Sequence, residues 1–144
     1  MNVLLLEDRG AASYYVVEWL KKEGHTVFDE FNVNDAQSRW EKRNEVPIHC
    51  IILDLNLPTD GLRGEQREKS AGGLLSGWVW LHDVVLTEAP EMRQRTIIYS
   101  DYISTLKERV SEEEFKEITL IPKRRRSSSA REVAARIREI ARMM

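Results

Sequence analysis

The chain has 144 residues, 42% apolar and 32% charged, a length and balance that suit one globular domain with a full core. Its formal net charge of −2 argues against a chain built as a whole to hold a polyanion, and its one cysteine, Cys50, excludes an internal disulfide framework. No apolar run reaches the ~18 residues of a spanning helix and the start shows no basic leader, so the sequence predicts a cytoplasmic protein without a membrane partner.

Strand-like and helix-like segments alternate along the chain. Val3 to Leu6 is a continuous apolar run that ends in Glu7-Asp8, as expected of a central parallel strand covered on both faces. Ala12, Val16, Trp19 and Leu20 then form an amphipathic helical stripe that stops near Gly24. Thr26 to Phe28 reads as a short second strand. Asn34 followed three residues later by Gln37 reads as a helix start, with Ala36 and Trp40 facing inward. Pro47 halts the chain before a third strand, Ile48 to Leu53, which runs into Asp54.

From Pro58 to Gly77 the rhythm breaks. This stretch holds five of the seven glycines together with Arg63, Glu65, Arg67, Glu68 and Lys69, and its composition predicts a mobile, solvated loop at about 58–76. Leu74, Trp78, Leu81 and Val85 make the next helical stripe, ending by Pro90, with Trp80 off the stripe and expected to be exposed. Thr96 to Tyr99 is a fourth strand leading into Ser100-Asp101. Ile103, Leu106 and Val110 suggest a helix that Ser111 and Glu114 interrupt with a new capping box. Ile118 to Ile121 is a fifth strand. A last helix is expected from a Ser129–Glu132 cap, with Val133, Ile137 and Ile140 toward the sheet. Lys123 to Met144 holds eight Lys/Arg against two Glu, which leaves the rest of the chain at about −8. Five strand–helix units with right-handed crossovers predict a three-layer, doubly wound (βα)5 fold with a five-stranded parallel sheet, one domain over 1–144.

Parallel strands deliver their C-terminal ends to one edge, where open α/β sheets bind ligands. Glu7 and Asp8, Asp54, Ser100, and Lys123 after Ile121-Pro122 all fall there. Three acids in one place repel one another unless a cation joins them, and hard oxygen donors suit Mg²⁺. A carboxylate can attack a phosphoryl donor to form an acyl phosphate, and an ammonium and a hydroxyl can stabilise the charge that develops.

In these residues the chain resembles the receiver domain of two-component response regulators. Glu7-Asp8 matches the acidic pair, Asp54 the phospho-acceptor, Ser100 the switch hydroxyl and Lys123 the lysine, and Asp54-Leu55-Asn56-Leu57-Pro58 fits the acceptor-strand signature. The resemblance covers essentially the whole chain and implies the flavodoxin-like strand order 2-1-3-4-5. It further implies that Asp8, Asp54 and the Asn56 backbone carbonyl bind Mg²⁺, with Glu7 acting through water. Asp54 would take phosphate from a histidine kinase or phosphotransfer protein, with Lys123 on the phosphoryl oxygens and Ser100 turning inward. A chain of this kind has no output domain of its own and signals to a downstream protein target by protein–protein contact, leaving a homodimer open. Its enzymatic activity would be limited to its own phosphotransfer and dephosphorylation.

The chain departs from the family pattern in four ways. Leu120 stands where an aromatic is usual, Asp101 where a small residue is usual, and Arg124 rather than proline follows Lys123, with Pro122 before it. Gly77 fits the glycine that closes the acceptor loop, which makes residues 58–76 an insertion, read as a lid or docking loop. Asp101 and Leu120 sustain a rival reading, a pseudo-receiver that acts as an interaction module without phosphorylation. A phosphoryl-transfer hydrolase is disfavoured because Asn56, not an acid, stands two residues after Asp54. His25, His49 and His82 lack metal-like spacing and are expected to be structural or at the surface. Trp19, Trp40 and Trp78 are expected in or beside the core. Nucleic acid is not expected as a partner, because the Lys123–Arg126 run reads as a solvated loop whose first residue is already assigned.

Overall fold

The structure, a computed structural model, describes residues 1–8, 10–123 and 126–144, with the side chains at 10–12 and 126–128 left out. The expected inward face of Ala12 and the position of Arg124 therefore lie outside the described residues. Five parallel strands, β1 (Asn2–Leu6), β2 (Thr26–Glu30), β3 (Cys50–Leu53), β4 (Thr96–Ser100) and β5 (Thr119–Pro122), form one sheet in the order β2-β1-β3-β4-β5. Two-residue alternation along the strands divides the core into two layers. Leu4, Leu6, Ile51, Leu53 and Ile98 point to one face, while Val3, Leu5, Cys50, Ile52 and Ile97 point to the other.

The second face is covered by α1 (Gly10–Lys22) through Val16 and Leu20, and by α8 (Arg126–Arg142) through Val133, Ile137 and Ile140. The first face carries α2 (Val33–Glu41), α4 (Ser76–Trp80), a π-helical turn (Leu81–Val85) that runs on into α5 (Leu86–Glu88), then α6 (Ile103–Arg109) and α7 (Glu112–Phe115). Helices on both faces of an all-parallel sheet make the predicted three-layer fold. Cys50 is wholly buried and its thiol is pushed up to about 12 by burial, so it acts as a small core residue.

Several local readings shift. The cap of α2 is Asn32, whose Oδ1 accepts the Asp35 N–H at 2.8 Å, rather than the exposed Asn34. β2 runs two residues further than its apolar stretch because the ladder continues through Leu5↔Asp29 and Leu6↔Glu30. α8 begins at Arg126, so Ser129 is no cap; it is buried and its hydroxyl donates to the Pro122 carbonyl at 2.9 Å. Trp80 is 2% exposed rather than at the surface, with its indole N–H on Gln37 Oε1 at 2.8 Å. A helical stripe assumes burial on one side, whereas α4 is wedged between the sheet and α2 and is buried all round.

The stretch expected to be a solvated loop is partly built into the core. It contains α3 (Gly64–Lys69), and Leu62, Ser70 and Leu75 are buried at its turns. Gly61 (φ +94) lies so close to α2 that a Cβ there would stand 2.7 Å from Asn34 Oδ1. The stretch thus packs on α2 and α4, while its charged side chains and Pro58 stay exposed.

The N-terminal end of β1 is held by two histidines. His49 Nδ1 accepts the Asn2 N–H at 2.8 Å, and His25 Nδ1 faces the Met1 nitrogen at 3.0 Å. Burial first, and then the N-terminal charge, hold both rings below the ordinary histidine value of 6.5. A lowered folded-state pKa means that the stability is fully present above about 6.5 and is lost as pH falls through the folded value. Urea midpoints are therefore expected to drop between pH 7.5 and 5.5, and His49→Gln is expected to flatten that slope. An unchanged slope in the variant would remove His49 from the account.

Candidate functional site

Glu7, Asp54 and Lys123 sit one step beyond a strand ladder and Ser100 at the last rung of one, so backbone pairing fixes their positions, with Asp8 next in the chain after Glu7. Glu7 N–H donates to the Glu30 carbonyl at 3.1 Å, Asp54 N–H to Leu6 at 2.9 Å and Lys123 N–H to Ser100 at 3.2 Å. One oxygen from each of Glu7, Asp8 and Asp54 can be chosen so that all three lie within 4.8 Å of one another. Glu7 and Asp54 are buried while Asp8 is exposed, which leaves the cluster open to solvent on one side.

Lys123 crosses from β5 to this cluster. Its ammonium bonds Glu7 and, at 3.0 Å, Asp54 Oδ2, and lies 5.2 Å from the centre of the Tyr99 ring. Burial works against its charge, but the Asp54 and Glu7 carboxylates more than offset that, and its pKa is raised. The other Asp54 oxygen accepts the Leu55 N–H at 2.7 Å. That N–H also lies 3.4 Å from Ser100 Oγ, so carboxylate and hydroxyl share a donor. Ser100 is wholly buried, and its Oγ accepts the Tyr102 N–H at 3.1 Å at the entrance to α6.

The strand ends thus bring together five of the six residues named from sequence. For the sixth, Asn56, the structure shows its N–H 3.4 Å from Asp54 Oδ1. The donor set fits a hard divalent cation: three carboxylates within a few ångströms, with an ammonium already serving as a counter-charge. Asp101 is exposed and lies outside the acid cluster among the described residues, so solvent screens it. Leu120 is half-buried and lines a cleft of about 230 Å³ with Asp101, Lys107 and Lys123.

Sequence reasoning missed the backbone donors of Leu55 and Tyr102, which no side-chain pattern can signal. It placed Gly77 but not its reason. The Gly77 N–H donates to the Leu55 carbonyl at 2.9 Å, and a Cβ there would overlap the Asp54 carbonyl oxygen and stand 2.7 Å from Leu53 Cδ1. Because the first obstacle is backbone, relief requires moving the acceptor strand's end. Gly77→Ala is therefore expected to lose about 3 kcal/mol in urea denaturation; an unchanged midpoint would show that α4 can slide instead.

No family model matches the chain, and no curated protein matches its sequence. Solved structures do resemble it. The non-phosphorylated HemR receiver domain from Leptospira biflexa superposes with a TM-score of 0.69 at 17% identity, covering 96% of this chain and 92% of that one. The chemotaxis response regulator CheY4 of Vibrio cholerae gives 0.63 at 13% identity over 94% and 97%. A response regulator receiver domain protein from Clostridium thermocellum gives 0.59 at 17% identity over 99% and 98%. With the same parallel sheet, the same strand order and near-complete mutual coverage, this chain has the fold of the response regulator receiver domains.

Proposed function

We propose that the chain is a receiver that accepts a phosphoryl group on Asp54 from the phosphohistidine of a histidine kinase or phosphotransfer protein. The observation that carries this reading is the meeting of three acids, a lysine ammonium and a buried hydroxyl at the ends of four strands. An Asp54 carboxylate oxygen attacks phosphorus, the P–N bond breaks, and its electron pair leaves with the imidazole, giving an acyl phosphate. Asp8, Asp54 and the Asn56 carbonyl, with Glu7 through water, would hold Mg²⁺, whose chemistry is to neutralise phosphoryl oxygens.

The remaining steps belong to the protein. Lys123 already touches Asp54 and needs only a small displacement to pair with a phosphoryl oxygen. Ser100 Oγ can exchange its Tyr102 partner for that same group, which would loosen the start of α6. The signal is then read by a target protein in the cytoplasm. The stretch at 58–75, packed on α2 and α4, is better placed as a docking surface than as a lid.

Incubation with a small acyl phosphate and Mg²⁺ is expected to add one hydroxylamine-labile phosphoryl group per chain, seen by intact mass and prevented by chelator. Folded protein that stays unmodified would favour the pseudo-receiver, in which Leu120, half-buried beside Lys123 where an aromatic is usual, leaves the switch uncoupled. Continuous turnover of an unrelated phosphoester would point to a hydrolase.

A further inference from the structure

A mostly apolar concavity lies away from the acid cluster, between α1 and α8. It is a groove of about 800 Å³ lined by Tyr15, Val16 and Trp19 on α1 and by Ala130, Ala134 and Arg138 on α8. The groove exists because alanines on one helix face aromatics on the other, which leaves a trough where side chains of matched size would close it. Beside it Tyr14 and Tyr15 protrude, 58% and 60% exposed, with their rings in edge contact at 5.5 Å. An exposed aromatic ridge next to an alanine-floored trough is unusual for a surface meant to stay in water.

Knob and hole on the same face satisfy the requirement for a two-fold interface, in which residue i meets j and j meets i. The charges obey the same rule. Glu18 lies one helical turn from Tyr14 and Tyr15, and Arg131 lines the groove from α8. Both are exposed, and neither has an ion-pair partner among the described residues. Arg138 is already committed, bonded to Glu23 at 2.9 Å and stacked on Trp19 at 5.0 Å, where it braces the groove wall. Laying α1 of one copy along α8 of the other would seat Tyr15 over Ala130 and Ala134 and set Glu18 against Arg131, twice over.

We propose that the α1–α8 face is a homodimer interface in which Tyr15 of each copy enters the alanine groove of the other and Glu18 pairs with Arg131 across the two-fold axis. This inference does not depend on phosphorylation of Asp54. It commits to a second copy of the chain because both halves of the fit, shape and charge, are present on one surface.

Sedimentation velocity from about 1 to about 100 μM tests it. The wild type is expected to shift from monomer to dimer within that range. Glu18→Arg is expected to weaken association roughly tenfold, Tyr15→Asp by more, and Glu18→Arg combined with Arg131→Glu to return to within about threefold of wild type. All three positions are exposed, and circular dichroism confirms that each variant is folded. A wild type that stays monomeric throughout, a dimer indifferent to Tyr15→Asp, or a double reversal that fails to restore association would each overturn the proposal.

Discussion

Asp54→Asn is expected to reduce phosphate incorporation to background while leaving the fold as stable as the wild type or slightly more so. The carboxamide matches the carboxylate in shape and can still accept the Leu55 N–H now held at 2.7 Å. It lacks the charged oxygen that attacks phosphorus, so the chemical step has no nucleophile. Stability should survive because the Lys123 ammonium keeps Glu7 as a partner. Removing one of three clustered acids also relieves repulsion within the cluster. Intact mass after treatment with acyl phosphate and Mg²⁺, paired with a urea melt, separates the two effects. Uptake of phosphate by this variant would move the acceptor to another residue and end the assignment of Asp54.

Lys123→Met is expected to have the opposite balance, a large loss of stability together with loss of phosphate uptake. The ammonium is the cation that joins Glu7 and Asp54, whose side chains are only 4% and 8% exposed. Methionine fills a similar volume, but it leaves two buried carboxylates facing each other. Breaking a buried pair by removing one partner costs about 3 kcal/mol or more. Because the folded-state pKa of Lys123 is raised, its stabilisation is fully present below 10.5 and is lost as pH rises through the folded value, so neutral pH shows the whole effect. Millimolar Mg²⁺ should return more stability to the variant than to the wild type, since the acids then hold a cation again. A variant as stable as wild type without Mg²⁺ would mean that the acids are hydrated rather than bridged.

The two variants probe a candidate site whose residue types are legible in the sequence. Apolar runs ending in Glu7-Asp8, Asp54, Ser100 and Lys123 can be read because a buried parallel strand needs uninterrupted apolar residues, and the first polar residue marks where the sheet ends. The same logic made Val16, Leu20, Val133 and Ile137 legible as core, since a helix packed on one side keeps a regular stripe. The logic fails where burial is not one-sided. A one-sided stripe puts Trp80 on an outer helix face, and α2 with the 58–75 stretch removes that face.

Residues 58–76 mark the same boundary between local and global information. Glycines and charges predict a loop, and α3 with the buried Leu62, Ser70 and Leu75 emerges only once α2 and α4 are there to pack against. Sequence alone determined the succession of the five strands, the identity of the acids, the hydroxyl and the lysine, and their delivery to one sheet edge, because strand periodicity and polarity are local properties. Tertiary structure alone decided that Lys123 bridges Glu7 and Asp54, that Gly77 must lack a side chain beneath the Asp54 carbonyl, and that Tyr15 overlooks an alanine-floored groove. Each of these depends on the distance between segments far apart in the chain, and packing sets those distances.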